Sequence, residues 1–183
     1  MFKRNILIID FEASSADTEI CDPIQLGAVL LEKDTLEIIE KFKATIKPQT
    51  NDWCKEAEKI HGLNREYLQK AGELLSDVIK DFTTCFNLDN VMLASWHNFD
   101  MIILNRIIKK SKKNYKNLEL WSYSIPYVRA KKLHANNNTG HNLTMLLNHF
   151  DLSRPAAHDA LNDAILEAKV FKEITNFYNS FKN

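Results

Sequence analysis

The sequence predicts an α/β domain, a mixed sheet flanked by helices, and three observations predict it. Ile6, Leu7, Ile8 and Ile9 form an apolar run without Gly or Pro, as expected of a strand buried on both faces. Two more strand-like runs follow before residue 50, and a short apolar stretch from Val91 to Ala94 follows later. The rest is dominated by apolar residues at three- and four-residue spacing, ending in a helical pattern carrying Leu161, Ile165, Val170, Ile174 and Phe177. Strands succeeded by helices suit a three-layer α/β arrangement.

Taken in order, strands are expected over about residues 4–11, 25–32 and 36–46, with a polar loop from Ser14 to Asp22 between the first two. Helical patterns then cover Trp53 to Lys59, Arg65 to Lys70 and Glu73 to Phe86, ahead of the short strand at Val91. A further helix opens near Asp100, where Ile103, Leu104 and Ile107 recur on one side. Between Asn117 and Thr139, LWSYSIPYVRA reads either as a strand or as a helix broken at Pro126, and HANNNTG reads as a polar loop. Two helices complete the chain, over about Asn142 to Phe150 and Asp159 to Tyr178. With 183 residues, four glycines, no internal repeat and no Pro/Gly/Ser linker, residues 1–183 read as a single domain.

Composition bounds the function classes. The chain is 45% hydrophobic and 26% charged, the balance of a soluble globular protein. Its formal net charge is zero, so any polyanionic partner must be held by local patches or metals and not by a global field. Cys21, Cys54 and Cys85 have no C-x-x-C spacing and are odd in number, which argues against a zinc site and for reduced thiols. The sequence passes from Met1 almost directly into a strand and holds no apolar run of membrane-spanning length, so a cytoplasmic protein without membrane association is expected.

Asp10 and Glu12 carry the first chemical signal. They follow the apolar run with one residue between them, so on a strand both point to one face while Phe11 points to the other. Two adjacent carboxylates repel unless a cation lies between them, and a divalent metal meets that need. Asp100 falls at the junction between the Val91 strand and its helix, where a side chain can lean over the strand ends; taken alone it reads as a helix cap. Asp163 lies in the last helix, and His158 precedes it by five residues, about 140° away on a continuous helix. His158 is therefore expected in the approach segment or first turn, which Pro155 supports. Asp159, four residues before Asp163 and on its face, competes for the same assignment. The basic runs KKSKKNYK (Lys109 to Lys116) and Arg129, Lys131, Lys132 read first as solvated helix ends and only second as nucleic-acid contacts.

In chain order, IIDFEA, HNFD and HDALND resemble the DEDDh 3′→5′ exonucleases of the DnaQ-like, ribonuclease-H-like superfamily, and the last matches that family's H-x-A-x-x-D. PIQLGAVLLE (Pro23 to Glu32) resembles the family's second strand, and KIHGLNREYL (Lys59 to Leu68) its I-H-G-[IL] segment. Ser95 and Trp96 stand where proofreading-type sequences carry a His-Asn pair, and DFEA with SWHNFD is closer in wording to the branch of histone-mRNA 3′-end exonucleases and KapD-like proteins.

The resemblance implies a ribonuclease-H-like fold and a metal-dependent 3′→5′ exonuclease that releases nucleoside 5′-monophosphates from single-stranded RNA or DNA 3′ ends, RNA slightly favoured. It implies two Mg²⁺ or Mn²⁺ ions held by Asp10, Glu12, Asp100 and Asp163, with Asp10 bridging both, and His158 as the base that deprotonates the attacking water. It places Phe11, Ala13 and Ser14 around the terminal sugar hydroxyl, held by backbone groups, and His61 and Leu63 in the substrate cleft, the leucine against the terminal base. The rival readings are a proofreading subunit bound to a polymerase, which the short stretch after the last helix disfavours, and a regulatory nucleic-acid-binding protein on the same fold.

Overall fold

In the computed structural model, residues 2–51, 53–108, 115–133, 141–153 and 158–181 are described. Their core is a mixed five-stranded sheet of order β3-β2-β1-β4-β5: β1 (Ile6–Ala13), β2 (Pro23–Leu31), β3 (Ile38–Thr45), β4 (Met92–Ser95) and β5 (Asn117–Glu119). β1 is central. It pairs antiparallel with β2 and parallel with β4, while β2–β3 is antiparallel and β4–β5 parallel. A parallel partner needs a crossover, and among the described residues seven helices supply the layers: α1 (Lys55–His61), α2 (Arg65–Ala71), α3 (Leu75–Cys85), α4 (Asn98–Ile107), α5 (Leu120–Ala130), α6 (Leu143–His149) and α7 (Ala160–Asn179).

The alternation of β1 divides the interior in two. Ile6 and Ile8 pack with Leu120, Tyr127 and Val128 of α5, Leu146 and Leu147 of α6, and the apolar stripe of α7. Leu7, Ile9 and Phe11 pack instead with Val78 and Phe82 of α3 and Met101, Ile103 and Leu104 of α4. Every one of these β1 side chains is buried, which accounts for the continuous apolar run.

The predicted strands and helices fall within a few residues of the observed ones, and 117–130 is resolved as a three-residue strand followed by an unbroken helix. Pro126 lies inside α5. A proline there gives up one helical hydrogen bond and costs about 3 kcal/mol. Leu120, Tyr127 and Val128 are buried at 3% exposure or less, and their burial holds the helix together across it. The polar loop expected at residues 134–140, Pro155 and most of the basic run 109–116 lie outside the described residues. Among the described residues no helix is long and apolar enough to cross a membrane.

Candidate active site

Asp10 and Glu12 continue the Ile6–Ile8 face of β1 beyond the core, on the side covered by α7. Opposite them on β2 stand Gly27 and Gln25 in register, and a register shift follows between Glu12 and Ala13. Two carboxylates thus end a stripe that is otherwise aliphatic, at the strand end where the sheet runs out.

Asp100 is the third residue of α4, whose cap is His97, so it is not the helix cap that it reads as in isolation. It is 5% exposed, and its Oδ1 accepts the backbone N–H of Phe11 at 2.9 Å, between the two β1 carboxylates. That bond draws α4 over the end of β1. Burial pushes the Asp100 carboxyl up to about 7, against the Phe11 N–H, which lowers it.

At the other side, α7 begins at Ala160 with Asp159 as its cap, Asp159 Oδ1 accepting from the Asn162 N–H at 3.1 Å. His158 therefore stands outside the helix, as its spacing from Asp163 predicts, in a left-handed conformation at φ 61°. Its backbone N–H donates to Asp163 Oδ2 at 3.1 Å, which folds the turn back over the first turn of α7. Two β2 residues seat this turn. Gln25 Oε1 accepts the Ala160 N–H at 2.7 Å, and Gly27 lies so close that a Cβ on it would sit 2.1 Å from the Ala160 carbonyl carbon. Asp159 is occupied elsewhere, capping α7 and pairing with Lys43 of β3, so the competition between Asp159 and Asp163 resolves in favour of Asp163.

Ligand atoms of Glu12, His158 and Asp163 lie within 4.8 Å of one another. Asp10 is packed beside them: burial raises its carboxyl well above the ordinary value, and Asp100, Glu167, Glu12 and Asp163 raise it further by like-charge repulsion. Oxygen donors in this density, with one imidazole, suit a hard or borderline divalent cation such as Mg²⁺ or Mn²⁺, so the residues fit the metal that the sequence implies. All five predicted residues, drawn from β1, α4, the His158 turn and α7, are brought together. Glu167 was missed by the sequence reading. Its signal was present: Ala160, Ala164, Glu167, Phe171 and Ile174 follow a four-three-four-three spacing, which places a carboxylate in the buried stripe of α7.

The expected substrate contacts divide. His61, 8% exposed, ends α1; its Nδ1 accepts the Leu63 N–H at 3.0 Å, so Nε2 carries the proton in the neutral ring. Burial lowers the His61 pKa, Glu58 opposes this and nearby His158 adds to the lowering. Nε2 is a buried donor with no partner among the described residues, and half-buried Leu63 lies two residues on. The Phe11 and Ala13 side chains belong to the α3–α4 core. The Phe11 N–H goes to Asp100, and Ser14 is tied into its own loop, its N–H bonding Asp22 O and its Oγ accepting the Asp22 N–H. These two backbone donors are thus engaged within the protein. Of the basic residues, Lys131 lies 4.7 Å over the Phe177 ring at the end of α5, a structural contact.

The profile of the Exonuclease family (RNase_T) matches residues 7–171. The chain is 25% identical over 167 residues to the PolC-type DNA polymerase III of Thermotoga maritima, covering 90% of itself and 11% of that polymerase. It thus spans about a tenth of that relative's length. Among solved structures, a 3′-exonuclease described in 3′-end-specific recognition of the histone mRNA stem-loop superposes with a TM-score of 0.76 at 20% identity, covering 97% of this chain and 84% of that one. E. coli exonuclease I in complex with a dA16 oligonucleotide gives 0.78 at 15% identity, covering 99% and 44%. The nuclease domain of 3'hExo, a DEDDh family member bound to rAMP, gives 0.71 at 21% identity, covering 95% and 92%. These likenesses establish the ribonuclease-H-like exonuclease fold, and the family match extends over nearly all of the sheet and the helices that complete the site. The chain belongs to the Exonuclease family.

Proposed function

We propose that this exonuclease hydrolyses single-stranded nucleic acid from the 3′ end, releasing nucleoside 5′-monophosphates, with RNA slightly favoured over DNA. The observation that carries the reading is the convergence of Glu12, His158 and Asp163 within 4.8 Å, with Asp10 and Asp100 alongside. Asp10, Glu12, Asp100 and Asp163 would hold two Mg²⁺ or Mn²⁺ ions. When bound, such ions supply Lewis-acid stabilisation of the charge that develops on the attacking and leaving oxygens. His158 takes a proton from water as its oxygen attacks phosphorus. The bond to the upstream 3′-oxygen breaks, that oxygen takes a proton from solvent to become the new 3′-hydroxyl of the strand, and the departing nucleotide keeps a 5′-phosphate. The left-handed turn and the bond from its own N–H to Asp163 fix His158 for this role. His61 Nε2–H, buried beside the His158 turn, donates to the terminal nucleotide, and Leu63 packs against its base. The ssDNA and the dA16 oligonucleotide bound to E. coli exonuclease I support a single-strand end as substrate, and the histone mRNA stem-loop of the 3′-exonuclease supports RNA. The polymerase match supports a second reading, removal of DNA ends in company with a polymerase.

One experiment separates these. Matched 5′-labelled RNA and DNA single strands should each shorten as a descending ladder with release of 5′-monophosphates, RNA faster, and a 3′-phosphate or a chelator should stop both. A preference for DNA ends supports the second reading. Asp10→Asn should show no turnover, and His158→Ala should slow cleavage by about 10²-fold or more and flatten the rising limb of the pH–rate profile. Cutting of a circular single strand, or normal turnover by Asp10→Asn, overturns the proposal.

A further inference from the structure

Trp96 and His97 lie just ahead of Asp100, and the mechanism above uses neither. They follow directly on β4, and Trp121 comes two residues after β5. β4 and β5 run parallel to β1, so these rings leave the sheet at the same edge as Asp10 and Glu12. Trp96 and Trp121 also pack on the Ile6 and Ile8 side, the face that the two carboxylates continue. Ligands of open α/β sheets bind outside the carboxyl ends of parallel strands, which is this edge. The rings pack on one another. Trp121 and His141 lie parallel with centroids 5.1 Å apart, Trp96 stands edge-on to His141 at 6.4 Å, and the His97 ring tilts against Trp121 at 5.8 Å. Trp96 and His141 are buried and Trp121 is half-buried, whereas the His97 side chain is 54% exposed, so the cluster reaches solvent through its imidazole. His97 occupies the cap position of α4, yet its side chain makes no cap bond. The backbone beneath is fixed. Ser95 Oγ donates to His97 O at 2.6 Å and accepts from Asn117 Nδ2 at 2.7 Å, and the Trp121 N–H donates to Trp96 O at 3.0 Å. An aromatic face held this firmly loses little freedom when a flat ring settles on it.

We infer that His97, backed by Trp121, is a stacking platform for the bases just upstream of the scissile bond of a single-stranded substrate. The inference rests on the exonuclease reading above. Asp100, three residues beyond His97 in α4, bonds the Phe11 N–H between the two β1 carboxylates, so the platform borders the metal corner. The corner on β1 has two sides. The chain leading into α1, with His61 and Leu63 beyond, is fastened beside the start of β2: the Thr50 N–H donates to Asp22 Oδ2 at 2.7 Å and the Cys54 N–H to Ser14 O at 3.0 Å. The platform stands on the opposite side, over the ends of β4 and β5. A strand whose terminal nucleotide meets His61 and Leu63, and whose scissile phosphate lies over Asp10 and Glu12, continues across β4 and brings its next bases to His97. Every base offers a π face, so stacking grips a strand without reading its sequence. That grip suits a chain of zero net charge, which has no global field to hold phosphates.

Steady-state cleavage of 5′-labelled single strands by the whole chain in Mg²⁺ tests this, with removal of the first nucleotide as the readout. An intact strand is compared with strands lacking the base at the second or the third position from the 3′ end. For the wild type, loss of one of these bases should raise KM by about tenfold and leave kcat within about twofold, because stacking that is equal in the ground and transition states changes binding alone. His97→Ala should raise KM for the intact strand by a similar factor, and removing the base should then add less than about twofold, the mark of a direct pair. His97→Tyr keeps a flat ring without the imidazole, so it should restore KM to within about threefold of wild type. The side chain is largely exposed, so both variants should melt close to the wild-type temperature. Equal penalties for base removal in wild type and His97→Ala, no penalty in either, a loss in kcat in place of KM, or failure of tyrosine to rescue overturns the inference while the exonuclease reading stands. A wild-type chain that releases nothing from the intact strand defeats that reading itself, and the platform with it.

Discussion

The N-termini of α4 and α7 reach the same corner and do it differently. Each brings an aspartate whose carboxylate grips the backbone of another site segment: Asp100 takes the Phe11 N–H of β1, and Asp163 takes the His158 N–H of its own approach turn. The α4 end has no side-chain cap, and the long-range bond from Phe11 ties it to the sheet. The α7 end has redundant fastening, with Asp159 as cap, the Lys43 pair, Gln25 on the Ala160 N–H and the close approach of Gly27. The difference follows from what each end carries. Asp100 is one buried group on a helix, whereas α7 must hold a histidine on a strained turn as well as its aspartate, and a residue kept at positive φ persists only when its surroundings fix it.

The largest effect should come from filling the space that seats α7. Gly27→Val would drive side-chain atoms into the Ala160 backbone, which has no flexible end to yield; overpacking of this kind costs at least about 1–3 kcal/mol. Displacing the turn moves His158 and Asp163 together, so thermal denaturation and nuclease assay should both register the loss. Retained activity with an unchanged melting temperature would show that the close approach does not seat the turn.

Asp100 sharpens the comparison through pH. Its carboxyl is raised to about 7 from an ordinary 3.8, so the folded state holds a proton that the unfolded chain has already released. The destabilisation from ionising Asp100 is absent below about pH 4, grows as pH rises, and is complete above about 7. In chelator, stability should therefore fall across that window, by roughly 2–4 kcal/mol for this group. Asp100→Asn, which keeps an oxygen for the Phe11 N–H, should flatten the fall. Urea unfolding at a series of pH values measures both, and equal slopes for the two proteins would refute the assignment.

The smallest effect belongs to Asp159. Asp159→Ala removes both the cap and the exposed Lys43 pair, but with the Gln25 bond and the Gly27 contact in place it should cost about 1 kcal/mol, the ordinary worth of a helix cap, and reduce turnover only slightly. An inactive but folded Asp159→Ala would place the last ligand one turn earlier and undo the contrast between the two helix ends.

Much of this was legible in the sequence because the carriers are periodic. β1 declared itself through four consecutive aliphatics, its carboxylates through their alternation, and the off-helix place of His158 through its five-residue offset. What was hidden depends on which surfaces meet. β5 is three half-buried residues with no alternation to detect, and α5 runs through Pro126 because tertiary packing outweighs one lost bond. The engagement of the Phe11 and Ser14 N–H groups, and the nearness of Glu167 to Asp10, exist only once α4, the Ser14–Asp22 loop and α7 are docked.

The central position of β1 has a consequence in time. Asp10 and Glu12 are made well before the elements they depend on, since the strand that holds them meets its parallel partner β4 and the covering helix α7 only later along the chain. Pairings so distant along the chain form slowly, after the loop between them has closed. A nascent chain on the ribosome, surrounded by RNA, therefore carries half of a cutting site and cannot assemble the other half until α7 has emerged and docked.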